Sequence, residues 1–294
     1  MLRLLPDGSK IKIMKNVFAG RKLTIATMHG KEKVIGPILS EATGVIVNVA
    51  EGFNTDIFGT FTGEIEREAD ALTVARRKCL AAAAMTETTL VLASEGSFGP
   101  HPTIPFAKCD DEILVLVDLY LGLEIKVREL SVNTNFSGKT VRSWEEANAF
   151  SAATLFPSHG LIVGRSRGET QWLKKGIRSD HEFERLVKEN LDATGECYIE
   201  TDMRAMHNPT RLGVIGKATE KLAESMLRTC PVCSTPGFDV EDVLSGLPCE
   251  QCATPTAGTL SFVYGCQRCG HREERRFPHG RKTESAMYCD WCNP

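Results

Sequence analysis

Four CxxC pairs, Cys230/Cys233, Cys249/Cys252, Cys266/Cys269 and Cys289/Cys292, gather eight of the chain's eleven cysteines into its last 65 residues. The gaps of 15 residues between the first two pairs and 19 between the last two let a chain fold back as a hairpin and close a tetrahedral thiolate cage, the ligand set of structural zinc. Two such zinc ions are expected. A closed cage leaves water no coordination position, so these sites build structure and any chemistry belongs to other residues. A disulfide network is the competing reading; the repeated CxxC spacing and the lack of a secretory signal favour a shared ion. Sequential pairing, first pair with second and third with fourth, needs only two local loops and is the expected wiring, with cross-braced and nested schemes as alternatives.

A chain of 294 residues is long enough for one large domain and a small one. The larger can bury about 70 to 75 % of the surface its unfolded chain exposes. The tail has few aliphatic residues, so metal must offset its ordering entropy, and losing the metal should unfold it first. The net charge of −3 gives the whole chain no footprint of a dedicated nucleic-acid or membrane binder. Locally, Arg268, His271, Arg272, Arg275, Arg276, His279, Arg281 and Lys282 face only Glu273 and Glu274 within 268–282. That loop reads either as a solvated hairpin face or as a phosphate-contacting patch for nucleic acid. The apolar start of residues 1–5 is too short for a signal segment, and runs such as 113–117 are too short to span a membrane. The expectation is a cytoplasmic protein. The isolated Cys79, Cys109 and Cys197 read as small buried residues rather than nucleophiles.

Strand-like and helix-like segments alternate from about residue 22 to 227, the pattern of an α/β domain with a mixed sheet covered by helices. Strands are expected over 23–27, 44–49, 90–93, 113–116, 123–127 and 161–163, and helices over 34–40, 182–191 and 216–227. A longer helix over 64–85 would be capped by Gly63 and bury Ile65, Ala69, Leu72, Ala75, Cys79 and Ala83. The run Ser94-Glu95-Gly96-Ser97-Phe98-Gly99-Pro100 is expected to leave the third strand as a bent turn. The resulting plan is an N-terminal extension over 1–21, an α/β domain over 22–228 and a small zinc-ribbon domain over 229–294.

Four polar junctions of the large domain, 27–31, 59–64, 94–97 and 202–211, follow strands or open helices, where ligands of α/β sheets bind. On one helix, Glu64, Arg67 and Lys78 would lie within about 60 degrees of one another. Such a stripe can handle a metal-bound phosphate, or form ion pairs facing water. The turn with Thr27, His29 and Lys31 can cradle phosphate oxygens through helix amides and an ammonium. Glu95, flanked by Ser94, Gly96 and Ser97, is placed to bind Mg²⁺ or take a proton from water, or to accept amide hydrogen bonds in a turn. Asp202, Arg204, His207 and Arg211 can hold an anionic substrate, or cap a helix start with local salt bridges. His101, His159 and His181 have no metal-ligand spacing and read as ordinary residues.

The stretches ATMHGKEKVIGPIL, TDIFGTFTGEIER, LASEGSFGPHP, TDMRAMHNPTR and CDWCNP resemble an uncharacterised bacterial family defined only as a domain of unknown function. The order of segments is also similar, more remotely, to the inosine/xanthosine triphosphate pyrophosphatases, which carry ATxNxxK, TFxENAxxKA, ADDSG and SHR. The corresponding stretches here are Ala26 to Lys31, Thr60 to Glu64 with Lys78, Ala93 to Ser97, and Asp202 to Arg204. This second resemblance implies a fold like theirs, with Thr27 and Lys31 touching a triphosphate, Glu64 and Glu95 holding Mg²⁺ or activating water, and Arg204 near the base. His29 replaces the family's asparagine, Lys31 comes one residue early, one glutamate replaces two aspartates, and Glu64 is further from Lys78.

The leading expectation is therefore a Mg²⁺-dependent phosphoanhydride hydrolase acting on a nucleotide or related phosphorylated small molecule. Glu95, Glu64 and Lys31 would carry the chemistry. Thr27, His29, Arg67, Lys78, Ser94, Ser97, Asp202, Arg204, His207 and Arg211 would bind substrate. The alternatives are a non-enzymatic protein whose zinc tail grips nucleic acid or protein, and a structural partner in a larger assembly.

Overall fold

The computed structural model describes residues 16–54, 69–104, 106–169 and 171–294. The chain divides into two compact units, Phe18–Ala223 and one that holds Glu224–Pro294, with the division inside the last long helix.

The first sheet of the larger unit starts with β1 (Lys22–Ala26), α1 (Glu32–Thr43) and β2 (Ile46–Val49), a parallel pair joined by a crossover helix. Gly44 ends α1 in the left-handed region, at φ 70, and its N–H bonds to the Ser40 carbonyl. Next come α2 (Ala71–Thr86), β3 (Leu90–Pro100), β4 (Lys108–Asp118) and β5 (Leu123–Ser131), giving the strand order β2-β1-β3-β4-β5. β3 runs parallel to β1, and the β3–β4 and β4–β5 pairs are antiparallel, so the sheet is mixed. Since α1 leads away from β1 on one side and α2 leads back past it on the other, right-handed crossovers put these helices on opposite faces. Ala75, Cys79, Ala82 and Ala83 of α2 pack on Ala26, Val91, Ala93 and Val115. The three lone cysteines are all buried; burial drives the Cys79 and Cys197 thiols up to about 12 and 11 and raises Cys109, as befits packing residues.

Two expectations are corrected here. Residues 94–100 do not form a bent turn: β3 stays a strand to Pro100 because all eleven of its residues pair with β4. The helix carrying Lys78 begins at Ala71, where the Asp70 carboxylate accepts from the Thr73 N–H, a cap signal that outranks Gly63. Glu64 and Arg67, expected on a stripe with Lys78, lie outside the described residues, as does the 59–64 junction.

The second sheet holds β6 (Gly138–Val141), β7 (Leu161–Gly164), β8 (Leu173–Ile177) and β9 (Cys197–Thr201) in the antiparallel order β6-β9-β7-β8. α3 (Trp144–Ala153) and α4 (Asp180–Thr194) cover it with Ala147, Phe150, Phe183, Leu186 and Val187. Both start on a capping serine, Ser143 and Ser179, with glutamate three residues on. α5 (Pro209–Leu227) follows β9 and lies against α1, where Gly216 lets Val34 and Ile38 approach.

In the tail, β10 (Asp239–Ser245), β11 (Thr259–Gly265) and β12 (Arg272–Arg276) form an antiparallel meander. Apart from cysteines, the aliphatic and aromatic side chains buried in 229–294 are Pro236, Phe238 and Leu247. Among the described residues, no helix is long and apolar enough to cross a membrane.

Candidate functional site

Strand order 2-1-3 creates a switch point between β1 and β3, and the crevice outside their carboxyl ends is where such sheets take ligands. β1 stops at Ala26, opposite Ala93, while β3 continues with one edge open toward the 27–31 turn. Lys31, the N-cap of α1, fills that edge: its Nζ donates to Ser94 Oγ at 3.0 Å and to the Ser94 carbonyl at 3.4 Å. The turn before it uses left-handed backbone at His29 and Gly30, with φ of 69 and 78. Thr27 turns its hydroxyl to the Met28 carbonyl, and a Cβ at Gly30 would come within 3.5 Å of Met206.

Register decides which side chains meet. Ser94, Gly96 and Phe98 lie opposite Leu114, Glu112 and Asp110 on one face; Glu95 and Ser97 lie opposite Ile113 and Asp111 on the other. On the α2 face, Glu95 pairs with Lys78, both buried. On the opposite face, Glu112 Oε1 accepts from Arg211 Nε at 2.6 Å, with both side chains fully buried, and Glu112 Oε2 is 4.0 Å from Lys31 Nζ. Arg211 also donates to the Met203 carbonyl and lies over the Phe98 ring, 5.1 Å from its centroid. Burial lowers the Lys31 ammonium to about 8, with Glu112 pulling the other way. Burial, then Glu112, raises the Asp110 carboxyl to about 8. Among the described residues, neither Asp110 oxygen has a hydrogen-bond partner.

The 202–211 stretch is a capped helix start with local ion pairs. Asn208 accepts from the Arg211 N–H, Pro209 opens α5, and the buried Asp202 carboxylate holds the backbone N–H and guanidinium of Arg204. His207 stands over Gly176, which has no Cβ to obstruct it; burial lowers its pKa, and its buried Nδ1 has no hydrogen-bond partner among the described residues. His159, read as ordinary, accepts from the Thr210 N–H at 3.3 Å and so satisfies another amide at the start of α5.

The fold thus gathers Lys31, Ser94 and Arg211 with Glu112 on one face of the β3–β4 pair, puts Lys78 with Glu95 on the other face, and sets Asp202, Arg204 and His207 beside the turn that Met206 touches. Ser97 is exposed on β3. Sequence reasoning missed Asp110 and Glu112. The signal lay in 108–116, where two-residue periodicity puts Asp110 and Glu112 on the face of Leu114 and Leu116.

The cysteines form two groups, Cys230/Cys233/Cys266/Cys269 and Cys249/Cys252/Cys289/Cys292, each with all sulfurs within 4.8 Å. The nearest sulfurs lie 3.5 to 3.8 Å apart. A tetrahedron of zinc–sulfur bonds of 2.3 Å has edges of about 3.8 Å, so both groups fit zinc. Pairing is interleaved, first with third and second with fourth, which corrects the expected sequential wiring. The cause is the meander: each strand carries the chain from one end of the sheet to the other, so successive CxxC turns arrive at alternate ends. Each turn is closed alike, the N–H after the second cysteine donating to the carbonyl of the first, from Ser234, Ala253, Gly270 and Asn293 at 2.8 to 3.0 Å. Thr235 and Thr254 hold the Cys233 and Cys252 thiols down to about 6, toward the thiolate that binds metal. The first two turns share the longer pattern C-x-x-C-[SA]-T-P, a repeat extending beyond the CxxC pairs.

The basic loop is largely internally compensated. Arg272 pairs with Glu241, Arg275 with Glu273, Arg276 with Glu274 and Arg281 with Glu284; Arg275 also stacks 4.3 Å from the Tyr264 ring.

These features define a mixed α/β protein with a two-site four-cysteine module. A family model described as a domain of unknown function (DUF6671) matches residues 78–294, and the chain belongs to that family. No curated protein matches the chain.

Proposed function

We propose that the unit Phe18–Ala223 is a Mg²⁺-dependent phosphoanhydride hydrolase of the cytoplasm, acting on a nucleotide or related phosphorylated small molecule, and that the two cysteine cages hold structural zinc. The observation that carries the reading is the buried placement of Lys31 on one face, and of the Lys78–Glu95 pair on the other, of the β3 stretch that runs past the switch point between β1 and β3, near enough for both charges to act on the Lys31 ammonium. Negative charge builds on the bridging oxygen as a phosphoanhydride breaks. Ammonium groups already fixed in a low-dielectric crevice favour that state over the ground state. The 28–31 turn and the start of α1 add backbone amides suited to phosphate oxygens. Glu95 is the candidate to accept the proton of the attacking water, and Lys78 holds its carboxylate in place. The oxygen donors of the crevice suit a hard cation, and bound Mg²⁺ would share the charge of the phosphate oxygens.

The test is phosphate or pyrophosphate release across a nucleoside triphosphate panel with Mg²⁺, comparing wild type with Glu95→Gln and Glu64→Gln. Turnover of at least one substrate is expected, with Glu95→Gln slower by about 10²- to 10⁴-fold. No turnover by the wild type, or two variants as fast as it, would remove the hydrolase reading.

A further inference from the structure

We propose that Asp110 and Glu112, on one face of β4, are the protein ligands of a divalent cation of the Mg²⁺ or Mn²⁺ kind, whose remaining ligands are water and substrate phosphate oxygens. The phosphate part rests on the hydrolase reading; the cation part stands on the side chains alone.

Asp110 has no exposed surface, and among the described residues neither of its oxygens meets a hydrogen-bond donor. A carboxylate in that position costs several kcal/mol unless something completes it. Buried polar groups in native proteins almost always find a partner, so an exception points to an occupant. Two residues along the same strand, Glu112 is equally buried, and both side chains leave the sheet on the face that carries Phe98 and Gly96. Alternate residues of a strand are roughly 6 to 7 Å apart at Cα, a separation across which two carboxylates can share one ion. Mg²⁺ needs no more from a protein, since it is commonly bound by one or two carboxylates with phosphate and water supplying the rest.

Arg211 and Lys31 border the same face, through Glu112. They repel a bare cation but attract the phosphate groups that accompany one. Affinity should therefore be weak for the free metal and stronger when a diphosphate is present. Asp111 provides a control: it lies on the other face of β4, where its carboxylate takes a two-point ion pair from Arg128.

The experiment is Mn²⁺ binding by electron paramagnetic resonance to the zinc-loaded full chain, with and without methylenediphosphonate, for wild type, Asp110→Asn and Asp111→Asn. Wild type and Asp111→Asn should bind alike, more tightly with the diphosphonate, and Asp110→Asn should bind at least about tenfold more weakly. The asparagine keeps the shape and cannot ionise, so its melting temperature should equal or exceed that of wild type and exclude unfolding as the cause. Equal Mn²⁺ affinity in Asp110→Asn and wild type would overturn the proposal, as would no wild-type binding up to about 1 mM with the diphosphonate. Mn²⁺ binding at Asp110 without turnover of any nucleotide would retain this site and remove the hydrolase. Unchanged turnover and Mn²⁺ binding in Asp110→Asn would do the reverse.

Discussion

Gly96 shows how closely the crevice is fitted. A Cβ at this position would collide with Arg211 Nη2 and Glu112 Oε1, so the buried pair depends on the missing side chain. Gly96→Ala should lower stability by about 1 to 3 kcal/mol, read as a shift in urea midpoint. Glu112→Gln should cost more, about 3 to 5 kcal/mol, because it leaves the Arg211 guanidinium buried beside a neutral group. Asp110 should impose a pH dependence. Its folded carboxyl is raised to about 8 from 3.8, so between these values the folded state keeps a proton that the unfolded chain has released. Its contribution to stability is full below about pH 4 and is lost as pH rises through about 8. Without added divalent cation, the urea midpoint of wild type should therefore fall from pH 5 to pH 8 more steeply than that of Asp110→Asn. Lys31, lowered to about 8 from 10.5, acts with the opposite sign above pH 8, where stability rises with pH. Lys31 and Glu95 stood out in the sequence because they sit at polar junctions, and Lys78 because it reads as part of a charged helix stripe. Asp110 and Glu112 did not, because a carboxylate inside a strand reads as solvent-facing until the register shows a covered face.

At the level of elements, periodicity located most strands and helices, and the failures share one cause. Short-range chemistry was allowed to decide what pairing decides. Gly96 and Gly99 suggested a break in β3, yet eleven paired residues of β4 keep the strand extended. Gly63 suggested a helix start, yet Asp70 with Thr73 provides a bonded cap. The shortest loops suggested sequential cysteine pairing, yet three strands between four CxxC turns send alternate turns to opposite ends of the meander. The pairing can be tested by metal count. Cys233 and Cys266 share one cage, so the double variant Cys233→Ser/Cys266→Ser should retain one zinc per chain by elemental analysis. Sequential wiring would place them in different cages and leave none.

Taken whole, the chain has two sources of stability. The unit Phe18–Ala223 has apolar layers on its sheets, whereas 229–294 buries little beyond Phe238, Leu247 and its cysteines. Structural zinc supplies roughly 10 to 16 kcal/mol of binding free energy in small modules, enough to replace a core of that size. A chelator should therefore open 229–294 to protease while Phe18–Ala223 still melts cooperatively; simultaneous loss of both units would contradict this division. The interleaved wiring also bears on how the module is assembled. Closing Cys233 on Cys266 spans 33 residues of sequence, about twice the separation of Cys233 from Cys249. Doubling a loop costs only about 0.6 kcal/mol, so chain entropy does not select the final wiring, but nearer thiolates meet sooner. Zinc supplied to the unfolded chain can be captured between neighbouring turns before the meander forms. Zinc supplied after the strands have paired meets sulfurs already sorted by end, so the order of metal addition should govern the yield of refolding.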